Sequence, residues 1–304
     1  MPKQLYILFC ESPLNRNKVD PDFESEFLSA TENGFCTLLF NFDELVDNKD
    51  AELATKRIKP NGTLTDVVYR GWMLTPDQYS TLYHNLLAKN YRLINNKIEY
   101  QNCHYLPDSL KFISAHTPKT IFESASSESF INTLIAEAKA FGSQPIIIKD
   151  YVKSEKHHWQ TACFVSQASN TAKLKETIDN LIRLRGDYLN EGIVIREFLE
   201  LSDLTIHSKS GMPLKEEYRL FFCHKKLIGI YNYWEEGEYL ASKPDTEGFE
   251  VLAQGITSNF FSMDIARQKN GNLIIIELGD GQVSGIPDHT DQNEFYKNLW
   301  SCLP

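Results

Sequence analysis

Apolar and polar positions along the chain follow two successive rhythms. Over the first hundred residues, short apolar runs alternate with longer amphipathic stretches. Residues 5–9 and 35–40 read as strands with a helix over 22–33 between them, and 66–69 and 91–94 read as a third and a fourth strand. Residues 76–89 open on a helix-starting proline and carry Tyr79, Leu82, Tyr83, Leu86 and Leu87 at the spacing of one helix face. This β-α-β rhythm predicts an α/β N-terminal domain with an open, mostly parallel sheet, and the polar stretch 114–119 predicts its boundary, giving 1–116.

Beyond the boundary the pattern changes to α+β. A helix over 129–141 is closed by Gly142, and strands follow at 145–149 and 161–166. A helix over 173–185 leads to a strand at 192–198. The last third is rich in strands: 216–223, a turn at His224-Lys225, 226–234, and a final hairpin. The polar run 202–213 is expected to be a loop. No internal repeat or low-complexity segment interrupts the pattern.

The final hairpin carries the most informative charges. Residues 260–267 and 273–278 are apolar strands joined by Lys269-Asn270-Gly271-Asn272, and Asn-Gly is a strong tight-turn signal. A turn centred on Asn270 and Gly271 sets Asp264 opposite Glu277, with Cβ atoms about 5 Å apart, where like charges repel. A divalent cation would neutralise the pair, and hard oxygen ligands suit Mg2+ or Mn2+. The competing readings are a wet strand face, a Lys or Arg partner for one of the acids, or a bulge that breaks the register.

Composition narrows the partners. A net charge of −10 over 304 residues argues against nucleic acid, which needs a broad basic surface. Hydrophobic content of 42% with 24% charged residues is ordinary for a soluble globular protein. The six cysteines are scattered without a C-x-x-C pair, which fits reduced thiols in a cytoplasmic protein. The apolar run at residues 5–10 is too short for a signal peptide, and no segment is long enough to span a bilayer, so no membrane partner is expected. Asn61-Gly62-Thr63 matches a glycosylation sequon but reads as a turn.

Other charges sit where strands end. Lys149 closes the apolar run Ile146-Ile147-Ile148, and Lys153 follows in a polar loop. Together they could hold a polyphosphate, or they are surface lysines at a strand end. The strand at 192–198 emerges into Glu197-Phe198-Leu199-Glu200, which could meet an adenine through its backbone and Phe198 or Leu199, with Glu200 or Asp203 on the ribose. Arg219 lies in a strand among aromatic residues, either in a buried ion pair, with Glu217 for instance, or clamping an anion. Gly279-Asp280-Gly281 misses the dinucleotide fingerprint, because Ser284 replaces the third glycine and too few residues follow for the remaining strand and helix. Those glycines would let backbone approach a ligand and leave Asp280 as a further metal oxygen. Arg70 ends the third strand, where open α/β sheets bind ligands, and is either a substrate-carboxylate anchor or a surface arginine over Trp72. His157-His158 is a poor chelate, because neighbours on a strand face opposite ways.

The order of these elements resembles an ATP-grasp protein. An α/β domain is followed by a strand lysine (Lys149), a loop lysine (Lys153), an adenine-hinge strand (Glu197, Phe198, Leu199), a strand arginine (Arg219) and an Asp…Glu hairpin (Asp264, Glu277). The resemblance spans nearly the whole chain and is most specific over residues 146–287. Asp150-Tyr151-Val152-Lys153-Ser154, Glu217-Tyr218-Arg219 and Glu277-Leu278-Gly279-Asp280-Gly281 look most like a divergent branch that is also similar to the eukaryotic initiation-factor assembly chaperones. The resemblance implies a two-lobed ATP-grasp domain over 117–304, with lobes 117–205 and 206–304, and ATP held between them with magnesium on its phosphates. Lys149, Lys153 and Arg219 would contact phosphates, and Arg219 and Lys153 would act in catalysis. Glu197, Phe198 and Leu199 would hold adenine, Glu200 or Asp203 the ribose, and Asp264 and Glu277 the metal. Two departures stand out. Gly279 occupies the position where most of the family place an asparagine, with Asp280 as its expected replacement, and the glycine-rich phosphate loop is replaced by a glycine-free, lysine-bearing one.

What the resemblance implies for function is an ATP- and Mg-dependent ligase that joins a carboxylate to an amine or thiol through an acyl phosphate. Such chemistry relies on positioning and cations rather than a protein nucleophile. The alternatives are an ATP-binding assembly factor for a protein partner and a small-molecule kinase.

Overall fold

The computed structural model describes residues 4–127, 129–209, 211–240 and 242–304. Strand β1 (Tyr6–Cys10) lies between β2 (Cys36–Phe40) and β3 (Thr65–Arg70), and β4 (Tyr91–Leu93) pairs with β3; every neighbouring pair is parallel, as the alternation predicts. Helix α1 (Glu24–Glu32) is entered through a short 3-10 turn at Pro21–Phe23, so the helix expected from residue 22 starts slightly later. Two short helices, α2 (Phe42–Val46) and α3 (Ala51–Ala54), fill the β2–β3 connection, with the Asn41 and Asp50 side chains accepting from the N–H groups of Glu44 and Leu53. Helix α4 (Pro76–Leu87) has a full capping box, in which Thr75 and Gln78 satisfy each other's backbone N–H, and it buries Tyr79, Leu82 and Leu86.

The chain continues through α5 (Lys97–His104) and α6 (Leu106–Ile113) into β5 (Thr120–Ser124), α7 (Phe130–Glu137), β6 (Ile146–Asp150), β7 (Phe164–Val165), α8 (Thr171–Arg185) and β8 (Gly192–Glu197). The four strands form an antiparallel sheet in the order β5-β8-β6-β7. The strand expected over 161–166 shrinks to two residues. Trp159–Cys163 instead makes a π-helical turn that buries Ala162 and Cys163, and Asn180 of α8 holds it by donating to the Thr161 carbonyl at 3.0 Å.

The polar run expected as a loop contains two paired strands, β9 (Asp203–Ile206) and β10 (Pro213–Lys215). Glu236 accepts from the Ser208 N–H at 2.8 Å and its hydroxyl at 2.6 Å, which holds Ser208 after β9. Strands β11 (Glu217–Cys223) and β12 (Lys226–Asn232) form an antiparallel hairpin whose turn residues, His224 and Lys225, are both left-handed (φ 46° and 68°). Helix α9 (Glu247–Ala253), strands β13 (Phe260–Arg267) and β14 (Leu273–Asp280), and helix α10 (Gln292–Cys302) complete the chain, and the sheet order is β12-β11-β13-β14.

The chain divides into two compact units: residues 1–103 with 204–264 and 278–304, and residues 104–203 with 265–277. In the first, one face of the N-terminal sheet closes on its own helices, with Leu8, Phe40, Val67 and Tyr69 against Leu45, Tyr79, Leu82 and Leu86, and the other face shares its core with later elements. Leu5, Ile7, Phe9 and Val68 share one cluster with Phe221 and Phe260 and with Phe295, Tyr296 and Leu299 of α10. Burying each such side chain contributes roughly 1.5–3 kcal/mol. The second unit has its own core, in which Ile146, Ile148, Ile193 and Ile195 pack against Leu134, Leu174, Ile178 and Leu181. No disulfide joins any of the six cysteines. Among the described residues no helix is long and apolar enough to cross a membrane.

Candidate functional site

In the second unit, β6 alternates: Ile146 and Ile148 enter the core, and the strand ends in Lys149 and Asp150. Lys149 is 8% exposed and its Nζ donates to Glu277 Oε2 at 2.8 Å. The strand carrying Glu277 is held from behind. Arg196 of β8 donates to the Ile276 carbonyl and to Thr117 Oγ1 at 2.8 and 2.7 Å, and Thr117 donates to the Ile275 carbonyl at 2.8 Å. Burial pulls the Arg196 guanidinium down to about 10, against the attraction of Glu277. For Glu277, burial pushes the carboxyl up, but the charge and hydrogen bond of Lys149, with Lys156 and Arg196 behind them, outweigh it and leave it at about 2. With 36% of the side chain in water, that ionised carboxylate is still accessible.

Asp150 organises the loop that carries Lys153. It is fully buried and accepts from the N–H groups of Val152 and Lys153, from Arg185 Nε at 2.9 Å and from Asn190 Nδ2 at 3.0 Å. The glycine-free loop is therefore fixed by a side chain. Packing around the Lys153 ammonium lowers its pKa, Glu277 opposes that, and Lys149 and Arg185 add to it. His104, which no sequence pattern singles out, is buried near the same charges. Burial first, then Lys153 and Lys149, bring it down to about 3 despite Glu277, so it is neutral at physiological pH.

The hinge segment follows β8. Glu197 N–H donates to the Lys119 carbonyl at 2.9 Å and Phe198 N–H to the Pro145 carbonyl at 3.1 Å. The Phe198 ring meets Phe164 edge-on, and Phe164 stacks on Trp159. Residues 200–202 pair with the hairpin tip: Ser202 N–H donates to the Arg267 carbonyl at 2.8 Å, and the exposed Glu200 faces Lys269 at 3.4 Å. Asp203 starts β9 and is exposed.

The hairpin turn differs from the symmetrical count. Gly271 N–H donates to the Gln268 carbonyl and Gln268 N–H to the Asn272 carbonyl, both at 2.8 Å, with Gly271 left-handed at φ 90°. The turn therefore closes on Gln268 and Asn272 through a three-residue loop, and counting outward from Asn270-Gly271 no longer sets Asp264 opposite Glu277.

In the first unit, Arg219 pairs with Asp264. Nε and Nη2 donate to the two carboxylate oxygens at 2.8 and 2.7 Å, Nη1 donates to the Gly285 carbonyl at 2.8 Å, and the guanidinium lies 4.9 Å from the Tyr233 ring centroid. Of the two readings open for this strand arginine, an ion pair is present, with Asp264.

Asp280 and Arg70 are corrections. Asp280 is fully buried and accepts from Asn95 Nδ2 at 2.6 Å, Gln282 N–H at 2.9 Å and Gln282 Nε2 at 3.1 Å, so both oxygens serve the fold and none is left for a metal. Nor does it replace the missing asparagine. A Cβ on Gly279 would press into Ser284 Oγ and lie 2.6 Å from Ser262 Oγ, two hydroxyls bonded to each other at 2.7 Å, so any side chain there displaces them. Arg70 is 1% exposed: Nε and Nη2 grip Glu26 at 2.8 Å each, and Nη1 donates to the Gly281 and Ser284 carbonyls. It is a structural arginine, and neither a substrate anchor nor a surface residue.

Residues 140–299 match a family described as an ATP-grasp domain, the third family of its clade, and the chain belongs to that family. No curated protein matches it. Among solved structures it is similar to D-cycloserine synthetase DcsG (12% identity, TM-score 0.56, covering 97% of this chain and 99% of that one). It is also similar to N5-carboxyaminoimidazole synthetase from Staphylococcus aureus complexed with ADP (13%, 0.61, 99% and 79%). A third similar structure is the ATP-grasp ligase PsnB complexed with a phosphomimetic precursor variant, Mg and ADP (12%, 0.55, 98% and 98%). These likenesses establish the ATP-grasp fold.

Within each unit a hard carboxylate oxygen lies against a cation, Asp264 against Arg219 in the first and Glu277 against Lys149 in the second, and such groups suit magnesium and phosphate chemistry. Among the described residues no three His, Cys, Asp or Glu side chains are grouped to hold an ion by themselves. Mg2+ is commonly held by one or two carboxylates with substrate phosphates completing its shell.

Proposed function

We propose that the protein is an ATP- and Mg2+-dependent ligase that joins a carboxylate to an amine or thiol. A substrate carboxylate oxygen bonds to the γ-phosphorus as the bond to the β-phosphate oxygen breaks, giving an acyl phosphate and ADP. The amine nitrogen or thiol sulfur then bonds to the acyl carbon, phosphate leaves, and the nucleophile's proton is released to solvent. Lys149, Lys153 and Arg219 bind phosphate oxygens, and Lys153 and Arg219 stabilise the charge of the transferring group. Glu197, Phe198 and Leu199 bind adenine, and Glu200 or Asp203 the ribose hydroxyls. Asp264 and Glu277 hold Mg2+ (or Mn2+), which when bound neutralises the phosphates. Within the family, the observation that carries this reading is the Lys149–Glu277 contact: a largely buried lysine on one strand meets an ionised, accessible carboxylate on another.

The test is incubation with Mg-ATP and pooled amino acids and peptides. The expected result is ADP and phosphate in equal amounts with a new amide or thioester mass. A phosphorylated product would instead make the protein a kinase. Tight nucleotide binding without turnover would favour an assembly factor of the chaperone type.

A further inference from the structure

We infer that the first unit carries a small-molecule site of its own, built to hold a free α-amino acid as its zwitterion, in a cavity of about 330 Å³ where β4, the start of α5 and the β11–β12 turn meet. Its walls include Asp66, Tyr83, Arg92, Glu99, His224 and Asn259, all of which belong to that unit. The volume lies at the low end of the roughly 300–1,000 Å³ of small-molecule sites, which suits a ligand of amino-acid size. The inference does not depend on the Mg-ATP reading.

The cavity offers groups of both signs with bonding capacity to spare among the described residues. Arg92 pairs with Asp66 through Nε at 2.6 Å, which leaves its two Nη groups to grip a carboxylate. Both side chains of that pair are partly in water, so it resists a new partner little. Glu99 accepts the Asn96 N–H through Oε2 at 2.7 Å, which leaves Oε1 for an ammonium. Asn259 spends Nδ2 on the Ile94 carbonyl at 2.9 Å and keeps Oδ1. His224 has a left-handed backbone held by its N–H on the Asn259 carbonyl at 2.7 Å, and its Nε2 is enclosed without a hydrogen-bond partner. An enclosed polar atom with no partner is costly, and in a cavity wall it marks a place where further bonding is completed from outside the chain. Burial holds the His224 pKa below the usual 6.5, against the pull of Asp66, so the ring is neutral at physiological pH and does not repel an ammonium.

The other cations beside the cavity are committed elsewhere, Lys97 to Asp77 Oδ1 at 2.6 Å and Lys225 to the Ser258 carbonyl at 3.0 Å, so Arg92 is the group left for an anion. Two carboxylates in the same walls disfavour a bare anion, and the guanidinium disfavours a bare cation. A molecule with an ammonium and a carboxylate on one carbon satisfies both, Glu99 taking the first and Arg92 the second, and Leu93 and Ile94 offer apolar wall to its side chain. The cavity is separate from the Arg219–Asp264 pair. His224 and Asn259 lie five residues from Arg219 and Asp264 along the β11 and β13 backbones, about 17 Å at 3.4 Å per residue. The amino acid is therefore bound as an effector, apart from any phosphate chemistry at that pair.

Calorimetric titration of the full chain with L-alanine, L-leucine and L-glutamate, alongside ethylamine, propionate and glucose, tests this. At least one of the amino acids should bind, and ethylamine and propionate should each bind about 10-fold or more weakly, since each lacks one charge-assisted contact. Arg92→Met and Glu99→Gln should each lower the amino-acid affinity about 10-fold or more, with melting curves to establish that each is folded. Glu99→Gln keeps an acceptor for the Asn96 N–H, so the start of α5 is preserved. In native protein labelled with 15N-histidine, the His224 ring signals should move when the same amino acid is added. Failure of all three amino acids to bind would overturn the proposal. So would binding that both folded variants keep in full and that leaves the His224 signals in place, because the ligand then sits elsewhere. Ethylamine, propionate or glucose binding as tightly as the amino acid would overturn recognition of a zwitterion.

Discussion

Arg70 and Glu26 form a closed pair inside the first unit, with two bonds of 2.8 Å and the Tyr296 hydroxyl donating to the same carboxylate at 2.6 Å. A pair so enclosed has no face to offer a substrate. Arg70→Met should therefore destabilise the fold by about 3–5 kcal/mol, because Glu26 stays behind as a buried, unpaired charge. Urea unfolding measures this. A normal unfolding midpoint with a raised KM for a carboxylate substrate would restore the anchor role.

Gly279 should not accept the asparagine that the resemblance to ATP-grasp enzymes would place there. With a Cβ pressed into one serine hydroxyl and only 2.6 Å from another, Gly279→Asn should cost about 1–3 kcal/mol by overpacking. Gly279→Asn combined with Ser262→Ala and Ser284→Ala should recover part of that. Thermal melting of the single and triple variants checks it.

His104 gives the fold an acid sensitivity. Its folded pKa of about 3 lies below the ordinary 6.5, so between these values the unfolded chain binds a proton that the folded chain refuses. The stability it protects is complete above pH 6.5 and is lost progressively as pH falls toward 3. At pH 5 the loss is about 2 kcal/mol. His104→Gln should flatten this part of the profile, as read by urea midpoints at pH 5 and pH 7.5, and an unaltered slope would count against it.

Lys149→Met should let the Glu277 carboxyl rise from about 2 toward the ordinary 4.5, since the lysine is the main influence opposing burial. The carboxyl carbon shift of Glu277 followed by NMR titration reports this directly. The same variant should bind Mg-ATP about 10-fold or more weakly, because it loses a phosphate contact.

The parallel sheet and the strand ends were legible because periodicity is a local property. The alternation that buries Ile146 and Ile148 also marks Lys149 as an outlier, and the outlier can be seen without its partner. The partner cannot, since Glu277 lies 128 residues away from Lys149. Arg70 carries the same signature as Arg219, a charge inside an apolar strand, and nothing local to either shows that Arg70 turns inward onto Glu26 of α1. Asp280 misled for a related reason: the glycines beside it read as ligand access, whereas they admit Phe260 and the Ser262–Ser284 pair. His104 was missed because a lone histidine at a helix end has no pattern at all.

The shared core of the first unit also shapes how the protein is made. The face of Tyr6–Cys10 that carries Ile7 and Phe9 meets Ala30 and Phe35 nearby in the chain, but Phe295, Tyr296 and Leu299 of α10 complete its cover. Until α10 docks, part of that apolar face stays open to association with other chains.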